Sequence, residues 1–461
     1  MNKYKRLISN SLIFAVGNFG SKILLLLLVP FYTFQLTTSE YGTADLVTTT
    51  INMLLPIVTL SIYEATLRFT IGEDENRQYL TLKNSFLLLF LASIVFILAI
   101  TIINLKIKIP YSEFIIIIIV LQGFQNILAQ YVRAINKIKI YAINGIIMSL
   151  VLAISNIIFL KFLSFGVDGY LLSIIMSNLV SLFFMIIVLK FDFILIVKSK
   201  VDWELFKRML VYSVPLIPNA FMWWLMNASS RYFILFYLDA TANGLFAVAS
   251  KIPSILSMVQ TVFFQAWQLS AIEEYDSDNK REFYSSIFYW LSTIMIICTS
   301  ILILFLKPII NITMSGNYSL SWKPVPFLLI GLIFSSFSSF FGTFYIAEKK
   351  TTGVMYTSVI GGMVSLILNF ILIRYFGIIG AGLSTLISFL LIWILRVRDI
   401  NKFFKINIQL KRLCISISGL ILQVVFIFFI DNIVLNVLLC FSLIVYEGIP
   451  LWQSVINLKK R

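Results

Sequence analysis

Three basic side chains lie inside long apolar stretches of the sequence, namely Lys22, Arg231 and Lys251. A lysine or arginine at the centre of a bilayer costs on the order of 2.5–3.5 kcal/mol, so such a residue usually faces water, a partner or a bound anion. With a rise of about 1.5 Å per helical residue, Lys22 lies roughly 17 Å from the inner end of its predicted helix, whereas Arg231 and Lys251 lie about 10 Å from outer ends. We therefore expect Lys22 to face a hydrated cavity. For Arg231 and Lys251, snorkelling to the headgroups is an equal alternative.

Polar residues at helical spacing accompany these cations. Positions three and four apart share one face of a helix, and such stripes occur in the first, second, seventh and eighth apolar stretches. Small and polar residues also hold helices together, which is the alternative interpretation of any single stripe. Because three of the four stripes carry a cation, we predict a polar, positively charged binding cavity lined by Lys22, Arg231, Lys251, Asn18, Asn52, Asn227 and Ser254.

Acidic residues are candidates for a second role on the same faces. Asp45 lies near the outer end of the second stretch and would titrate if it were desolvated. Glu64 and Arg68 are four residues apart at the inner end, where they can pair along the helix. A solvated helix end is the simpler interpretation of that pair. We keep Asp45, Glu64 and Arg68 as candidates for a gate or for coupling to a proton or ion gradient.

The composition removes most catalytic chemistry. The chain has no histidine, so Ser-His and Cys-His dyads, histidine-ligated zinc and a haem histidine are excluded. Its three cysteines, Cys298, Cys414 and Cys440, lie in apolar stretches without the spacing of metal ligands. We expect no catalytic residue, no metal site and no cofactor.

The elements that position these residues are membrane-spanning helices. Of the 461 residues 60% are hydrophobic and 12% charged, whereas soluble proteins have roughly 45–50% and 25%. A helix needs about 20 largely apolar residues to cross a bilayer. Fourteen such spans are predicted, at residues 10 to 34, 42 to 66, 84 to 105, 112 to 132, 141 to 160, 167 to 189, 209 to 237, 243 to 266, 284 to 306, 324 to 346, 354 to 373, 378 to 396, 412 to 430 and 433 to 455.

The basic residues predict the orientation of these spans, because loops rich in lysine and arginine stay in the cytoplasm. With both termini inside, 27 of the 36 basic residues fall in cytoplasmic segments. Three lie within spans, and six lie outside, namely Lys106, Lys108, Lys161, Lys307, Lys323 and Arg374. The formal charge of +15 is thus explained mainly by topology. We expect no nucleic-acid partner.

An internal repeat divides the spans. Asn156 precedes a basic residue by five positions, and Phe-Gly-x-x-Gly follows; the same pattern recurs from Asn369. Because the two copies open the sixth and the twelfth span, we predict an all-α membrane protein of two six-helix bundles with the same orientation, related by a pseudo-two-fold axis along the membrane normal. The predicted domains are residues 1–200, residues 201–400 and an appended helix pair at 401–461.

Several short motifs of the sequence together resemble those of a known protein family. They are Asn10, Ser11 and the stretch from Gly17 to Lys22, Glu40-Tyr41-Gly42, Arg133-Ala134-Ile135-Asn136-Lys137, Tyr212-Ser213-Val214-Pro215-Leu216-Ile217-Pro218, Arg231, Asn243-Gly244 to Lys251-Ile252-Pro253, and Phe376-Gly377 to Gly380-Ala381-Gly382. Over essentially its whole length the chain resembles the polysaccharide-transporter branch of the multidrug/oligosaccharidyl-lipid/polysaccharide flippase superfamily.

This resemblance implies a function. Such proteins flip an undecaprenyl-diphosphate-linked oligosaccharide, the repeat unit of a capsule, O-antigen or similar polymer, across the bacterial cytoplasmic membrane by alternating access. The implied partners are this lipid-linked glycan, membrane lipid and the polymerase and chain-length proteins of the pathway. One alternative is a multidrug or cation antiporter of the same superfamily, which normally places acidic residues at membrane depth. The other is a membrane-embedded polymerase or ligase, which usually offers a large outer loop.

Overall fold

The computed structural model describes residues 24–189, 201–273, 280–347, 351–402, 406–430 and 432–459. Every regular element in these ranges is helical. Helices satisfy all their backbone hydrogen bonds internally, and this is what a chain exposed to hydrocarbon requires. By its internal contacts the chain forms two compact units, Met1–Trp224 and Leu225–Arg461.

The first unit contains eight helices and the start of a ninth. They are α1 (Leu24–Gln35), α2 (Thr38–Val58), α3 (Ile62–Thr70), α4 (Glu75–Asn104), α5 (Ser112–Ala134), α6 (Ile138–Asn156), α7 (Gly166–Leu189), α8 (Trp203–Ser213) and α9 (Leu216–Ala228), with a π-helical turn, Ile157–Phe162, after α6. Apolar residues of α2, α5 and α7 form one core cluster, and those of α3, α4, α5 and α8 form another.

The second unit begins within α9. Its further helices are α10 (Ser230–Tyr237), α11 (Ala240–Glu273), α12 (Lys280–Leu304), α13 (Leu306–Thr313), α14 (Val325–Ala347), α15 (Thr351–Phe376), α16 (Ile378–Ile400), α17 (Leu410–Val425) and α18 (Ile433–Lys459). A 3-10 helix, Gly316–Trp322, precedes α14, and a π-helical turn, Phe426–Ile430, follows α17. Helix α14 is the centre of this unit, since 83% of its most apolar window is buried.

The described helices confirm an all-α, multi-pass membrane fold. Eleven of them are long and apolar enough to span a membrane, or twelve if α2 and α3 count as one bent span. Two further apolar helices, Leu24–Gln35 and Ile433–Ile449, coincide with the first and last predicted spans but are shorter within the described residues. The count of fourteen therefore stays a prediction.

Two predicted spans are broken rather than continuous. Helices α2 and α3 meet at 54°, and the break falls at Leu60 and Ser61, which both have φ near +50°. Left-handed backbone is unfavourable for residues with a side chain, so the break concentrates strain at these two positions. The second case is the predicted span 209 to 237, which the structure divides into α8, α9 and α10.

The repeated Phe-Gly-x-x-Gly motif places a glycine with positive φ at the start of the next helix in both units. Gly166 and Gly377, at the entrance of α7 and α16, have φ values of +56° and +57°. Glycine adopts this conformation without steric cost. Three residues later Gly380 lies against the preceding helix, since a Cβ atom there would stand 2.1 Å from the carbonyl oxygen of Leu372. Each turn thus returns the chain along the helix it has just left.

The last two helices pack on α12 through polar contacts. Arg412 of α17 pairs with the fully buried Glu447 of α18, and both bond to Thr293 of α12. Gln423 of α17 exchanges hydrogen bonds with Ser300 of α12. The helix pair at 401–461 is thus part of the second compact unit, while the predicted boundaries of the six-helix bundles remain predictions.

The close approach at Gly380 predicts a stability defect. Replacement Gly380→Ala should lower the apparent melting temperature of the purified protein by several degrees, because a Cβ atom that meets backbone forces α15 and α16 apart at about 1–3 kcal/mol. Gly448→Ala is the matched control, since nothing lies within 4 Å of a Cβ atom at that helical position. Equal melting temperatures for the two variants would contradict the described packing.

Candidate functional site

A cavity of about 240 Å³ lies within the second unit. Four stretches of helix form its wall: the α9–α10 region, α11, α14 and α16. The lining residues are Asn227, Arg231, Phe246, Ser250, Pro253, Ser254, Ser257, Leu328, Leu332, Ser335, Thr385 and Phe389. Most of these residues lie well inside predicted spans, so the cavity stands at membrane depth.

The spacing on α11 explains why this helix supplies a row of hydroxyl groups. Ser250, Ser254 and Ser257 are four and three residues apart and therefore share one face. Their hydroxyl groups donate to backbone carbonyls of the same helix, for example Ser250 Oγ to Phe246 O at 2.8 Å. A hydroxyl that donates to the backbone still has lone pairs to accept a hydrogen bond from a ligand.

Arg231 is the cation of this cavity. It lies on α10, half-buried, and its Nη1 donates to the carbonyl oxygen of Asn227 at 3.4 Å. Its Cζ is 5.6 Å from the ring centroid of Phe246, which is within the range of a cation–π interaction. A guanidinium group presents several N–H donors in a fork that matches carboxylate and phosphate oxygens.

The cavity is suited to an anion that also carries hydroxyl groups. Among the described residues that line it there is no carboxylate, so the charge on its wall is the positive charge of Arg231. Hydroxyl groups from three helices surround that charge, and the rings of Phe246 and Phe389 give apolar faces. A phosphate or carboxylate group attached to a sugar has this combination of surfaces.

The structure brings three of the predicted cavity residues together, namely Asn227, Arg231 and Ser254. Lys251 is half-buried on α11, but it is not among the residues that line the cavity. The lining face runs through Ser250 and Ser254, and successive residues of a helix point about 100° apart. Lys251, one residue after Ser250, is therefore turned about 100° away from Ser250. Lys22 and Asn18 lie outside the described residues.

The other predicted residues belong to the first unit. Asp45 is buried on α2, and Asn52 is exposed two turns further along the same helix. Near Asp45 three tyrosine rings cluster: Tyr32 lies 5.7 Å from Tyr41 and 5.1 Å from Tyr170, measured between ring centroids. Asp45 thus stands one helical turn from Tyr41, beside a buried phenolic cluster.

Glu64 and Arg68 share α3 but are not joined. Glu64 is half-buried and Arg68 is exposed, and the described part of the chain shows no ion pair between them. The structure thus places these two predicted gate residues on one short helix without bringing their charges together.

A second cavity of about 420 Å³ occurs in the first unit. Glu73, Glu75 and Lys137 contribute to its wall, which is built from the turns between α3 and α4 and between α5 and α6. Because it lies at helix ends rather than at membrane depth, it does not pose the problem of a charge in hydrocarbon. The smaller cavity around Arg231 is therefore the better candidate site.

Sequence reasoning missed several residues of that site. Ser250 and Ser257 could have been found, because with Ser254 they form a hydroxyl row at helical spacing. Ser335 and Thr385 belong to helices that carry several other hydroxyl residues, for example Ser338 on α14 and Ser388 on α16, so the sequence does not single them out. Their place in the cavity depends on how α14 and α16 pack, and this does not follow from either helix alone.

The fold and family define the class of protein. The structure resembles the "Lipid II flippase MurJ, inward closed conformation", with a TM-score of 0.69 and 15% identity over 96% of this chain and 100% of that chain. It also resembles an inward-facing multidrug resistance MATE family transporter of the MOP superfamily, with a TM-score of 0.66 and 13% identity over 83% of this chain and 95% of that one. A third similar structure is the MATE multidrug transporter DinF-BH in complex with R6G, with a TM-score of 0.62 and 16% identity over 87% and 96% of the two chains. No curated protein sequence matches the chain.

The fold is therefore one that the chain shares with membrane transporters and a flippase of known structure. The model of the polysaccharide biosynthesis protein family matches residues 7–268. The chain belongs to this family.

The cavity predicts a pattern of thiol reactivity. In a variant whose three native cysteines are replaced, Ser335→Cys and Ser257→Cys should react several-fold faster with a small charged methanethiosulfonate than Ser336→Cys. Ser335 and Ser257 line the cavity, whereas Ser336 is fully buried on another face of α14 at the same depth as Ser335. Equal labelling rates at Ser335→Cys and Ser336→Cys would show that water does not reach the cavity.

Proposed function

We propose that the protein is a flippase that carries an undecaprenyl-diphosphate-linked oligosaccharide repeat unit across the cytoplasmic membrane, for capsule, O-antigen or related polysaccharide export. The observation that carries the proposal is the cavity at membrane depth, where one guanidinium group stands among hydroxyl groups without a carboxylate among the described lining residues. Membership of the polysaccharide biosynthesis family supports the glycan part of the substrate.

The chemistry of the substrate explains why such a cavity is needed. A diphosphate and its sugars cannot cross hydrocarbon without partners, because desolvation of charged and polar groups is costly. Arg231 supplies charge-assisted hydrogen bonds to the anionic group, and the serine hydroxyls accept hydrogen bonds from sugar hydroxyls. The polyprenyl tail stays in the bilayer while the polar head crosses by alternating access.

The rival transport function is the export of cationic drugs. A cationic substrate requires acidic or aromatic partners at depth, and in the Arg231 cavity the charge has the opposite sign. The sign of the charge therefore favours an anionic substrate. In our proposal Lys22 and Lys251 act with Arg231 on that substrate. We also propose that both termini are cytoplasmic and that the polymerase and chain-length proteins of the pathway receive the product.

Replacement of the cavity cation should impair flipping. Arg231→Ala should slow transport of a fluorescent polyprenyl-diphosphate-linked oligosaccharide in proteoliposomes by roughly 10- to 100-fold, since hydrogen bonds to a charged group contribute about 1.5–3 kcal/mol. Arg231→Lys should recover part of the rate, because a lysine keeps the charge but loses the fork of donors. Lys22→Ala and Lys251→Ala should each reduce the rate as well.

The control for this series is Arg374→Ala, which removes an exposed cation of the same unit outside the cavity. It should transport at the rate of the unmodified protein. If Arg231→Ala, Lys22→Ala and Lys251→Ala all transport normally while correctly inserted, the proposed substrate site is wrong.

We further propose that a proton or ion gradient drives the cycle through Asp45. This carboxyl group is buried beside Tyr32, Tyr41 and Tyr170 on α1, α2 and α7. The binding of a proton or ion by a group that lies among packed helices can bias the arrangement of those helices.

Asp45→Asn should therefore abolish the acceleration of flipping by an imposed pH or sodium gradient and leave the slow rate without a gradient nearly unchanged. Glu64→Gln tests the second acidic candidate in the same assay. Flipping that does not respond to gradients in the unmodified protein would remove the proposal for both residues.

A further inference from the structure

The helix that carries Arg231 begins at an irregular joint. Helix α9 ends at Ala228 and α10 begins at Ser230. At the joint the N–H of Tyr232 bonds to the carbonyl oxygen of Ser229, three residues back instead of four, so the α-helical pattern is interrupted. Asn227 and Arg231 stand on opposite sides of this joint, and its geometry therefore sets where both point.

Helix α10 cannot define its own position. It has eight residues, and isolated helices below about 12 residues are marginal even in favourable sequences. Its placement depends on α11 and α15, against which it packs. The contact that fixes the joint must therefore come from a neighbouring helix.

Asn369 of α15 supplies that contact. Its side chain is 2% exposed, and its Nδ2 donates to Ser229 Oγ at 3.1 Å. The second partner, Ser365 Oγ in the same helix, is at the 3.5 Å limit of a hydrogen bond. A buried amide without a partner costs about 1–3 kcal/mol, so the bond to Ser229 is the specific link between α15 and the joint.

The same helix also reaches the opposite wall of the cavity. Ser384 of α16 donates from its Oγ to the carbonyl oxygen of Ser365 at 3.2 Å. The next residue of α16 is Thr385, which lines the cavity. Helix α15 does not line the cavity itself. Through Ser365 it contacts α16, which carries Thr385, and through Asn369 it contacts the joint that precedes Arg231.

The repeat shows that this link is particular to the second unit. Asn156 is the counterpart of Asn369 in the first copy of the motif and is equally buried. Its Nδ2 donates at 2.7 Å to the carbonyl oxygen of Leu152, within its own helix. The two asparagines thus hold the same place in the sequence pattern but bond to different elements.

We propose that Asn369 is a positioning residue: its hydrogen bond to Ser229 fixes the joint between α9 and α10 and thereby holds the guanidinium group of Arg231 in the cavity. The role in transport rests on the proposed function of that cavity. The effect of the bond on the position of α10 does not rest on that function, because this position can be measured without a substrate.

The experiment uses the full-length protein with its native cysteines replaced and a spin label at Phe236→Cys, a position on α10 that is 77% exposed. Asn369→Ala, Ser229→Ala and the double variant should all give the same more mobile spectrum in detergent. Because each single change removes the same hydrogen bond, the spin label in the double variant should not be more mobile than in either single variant. Ser365→Ala removes only the weak contact within α15 and should match the parent.

In the flipping assay Asn369→Ala and Ser229→Ala should each be about five- to tenfold slower, in line with the loss of one buried hydrogen bond. Ser365→Ala should be unaffected. If Asn369→Ala fails to insert, Ser229→Ala tests the same bond by removing a single oxygen atom. Parent-like spectra and rates for Ser229→Ala, or effects of the two single changes that add in the double variant, would overturn the positioning role.

The two proposals fail in different ways. If Arg231→Ala, Lys22→Ala and Lys251→Ala all flip normally, the proposed substrate site is wrong, while the spectra of the Asn369 and Ser229 variants still decide how the joint is held. If Arg231→Ala is inactive but Asn369→Ala is unchanged in both spectrum and rate, the cavity function stands and the positioning role is wrong.

Discussion

Removal of a guanidinium group from water is the constraint on which the second unit depends, because the charge must find partners inside the protein. Arg396 is 4% exposed and donates to two hydroxyl groups and one backbone carbonyl of α14 and α15. Arg412 pairs instead with Glu447 and stacks on the ring of Tyr289. Arg231 bonds one backbone carbonyl and borders the cavity. The guanidinium group of Arg231 thus lies at a space that a ligand can enter.

The hydrogen bonds of Arg396 hold one wall of the cavity around Arg231. Arg396 ties α16 to α14 and α15, and the same α14 contributes Ser335 to the cavity about one turn from the carbonyl that Arg396 uses. On the same helices, the ring centroid of Trp393 lies 5.5 Å from that of Phe334 and 5.7 Å from that of Phe337. One wall of the cavity is therefore held by charge-assisted hydrogen bonds and aromatic packing. The opposite wall includes the short helix α10, which packs on α11 and α15 and is preceded by Ser229, the hydrogen-bond partner of Asn369.

Sequence reasoning reached the class of fold because hydropathy and the distribution of basic residues respond to the bilayer itself, which acts on every helix alike. It also singled out Arg231, since a cation in an apolar stretch is visible without a structure. It did not predict the breaks at Ser61 and Ser229, because a helix end inside a span depends on contacts from other helices. Lys251 shows the same limit on a finer scale. A rotation of about one residue separates it from the lining face, and packing, not periodicity, sets that rotation.

The repeat shows where shared sequence pattern ends and local chemistry begins. Gly166 and Gly377 both have a positive φ, because in both units the chain must return tightly between two packed helices and glycine adopts this conformation without steric cost. The buried amide that precedes each turn has no such requirement and bonds to whatever lies within reach. Asn156 reaches its own backbone, whereas Asn369 reaches the joint of a different helix. A duplicated framework can therefore keep its backbone geometry while one copy acquires a polar contact beside a cationic cavity. The difference between the two copies, more than their similarity, indicates where the function lies.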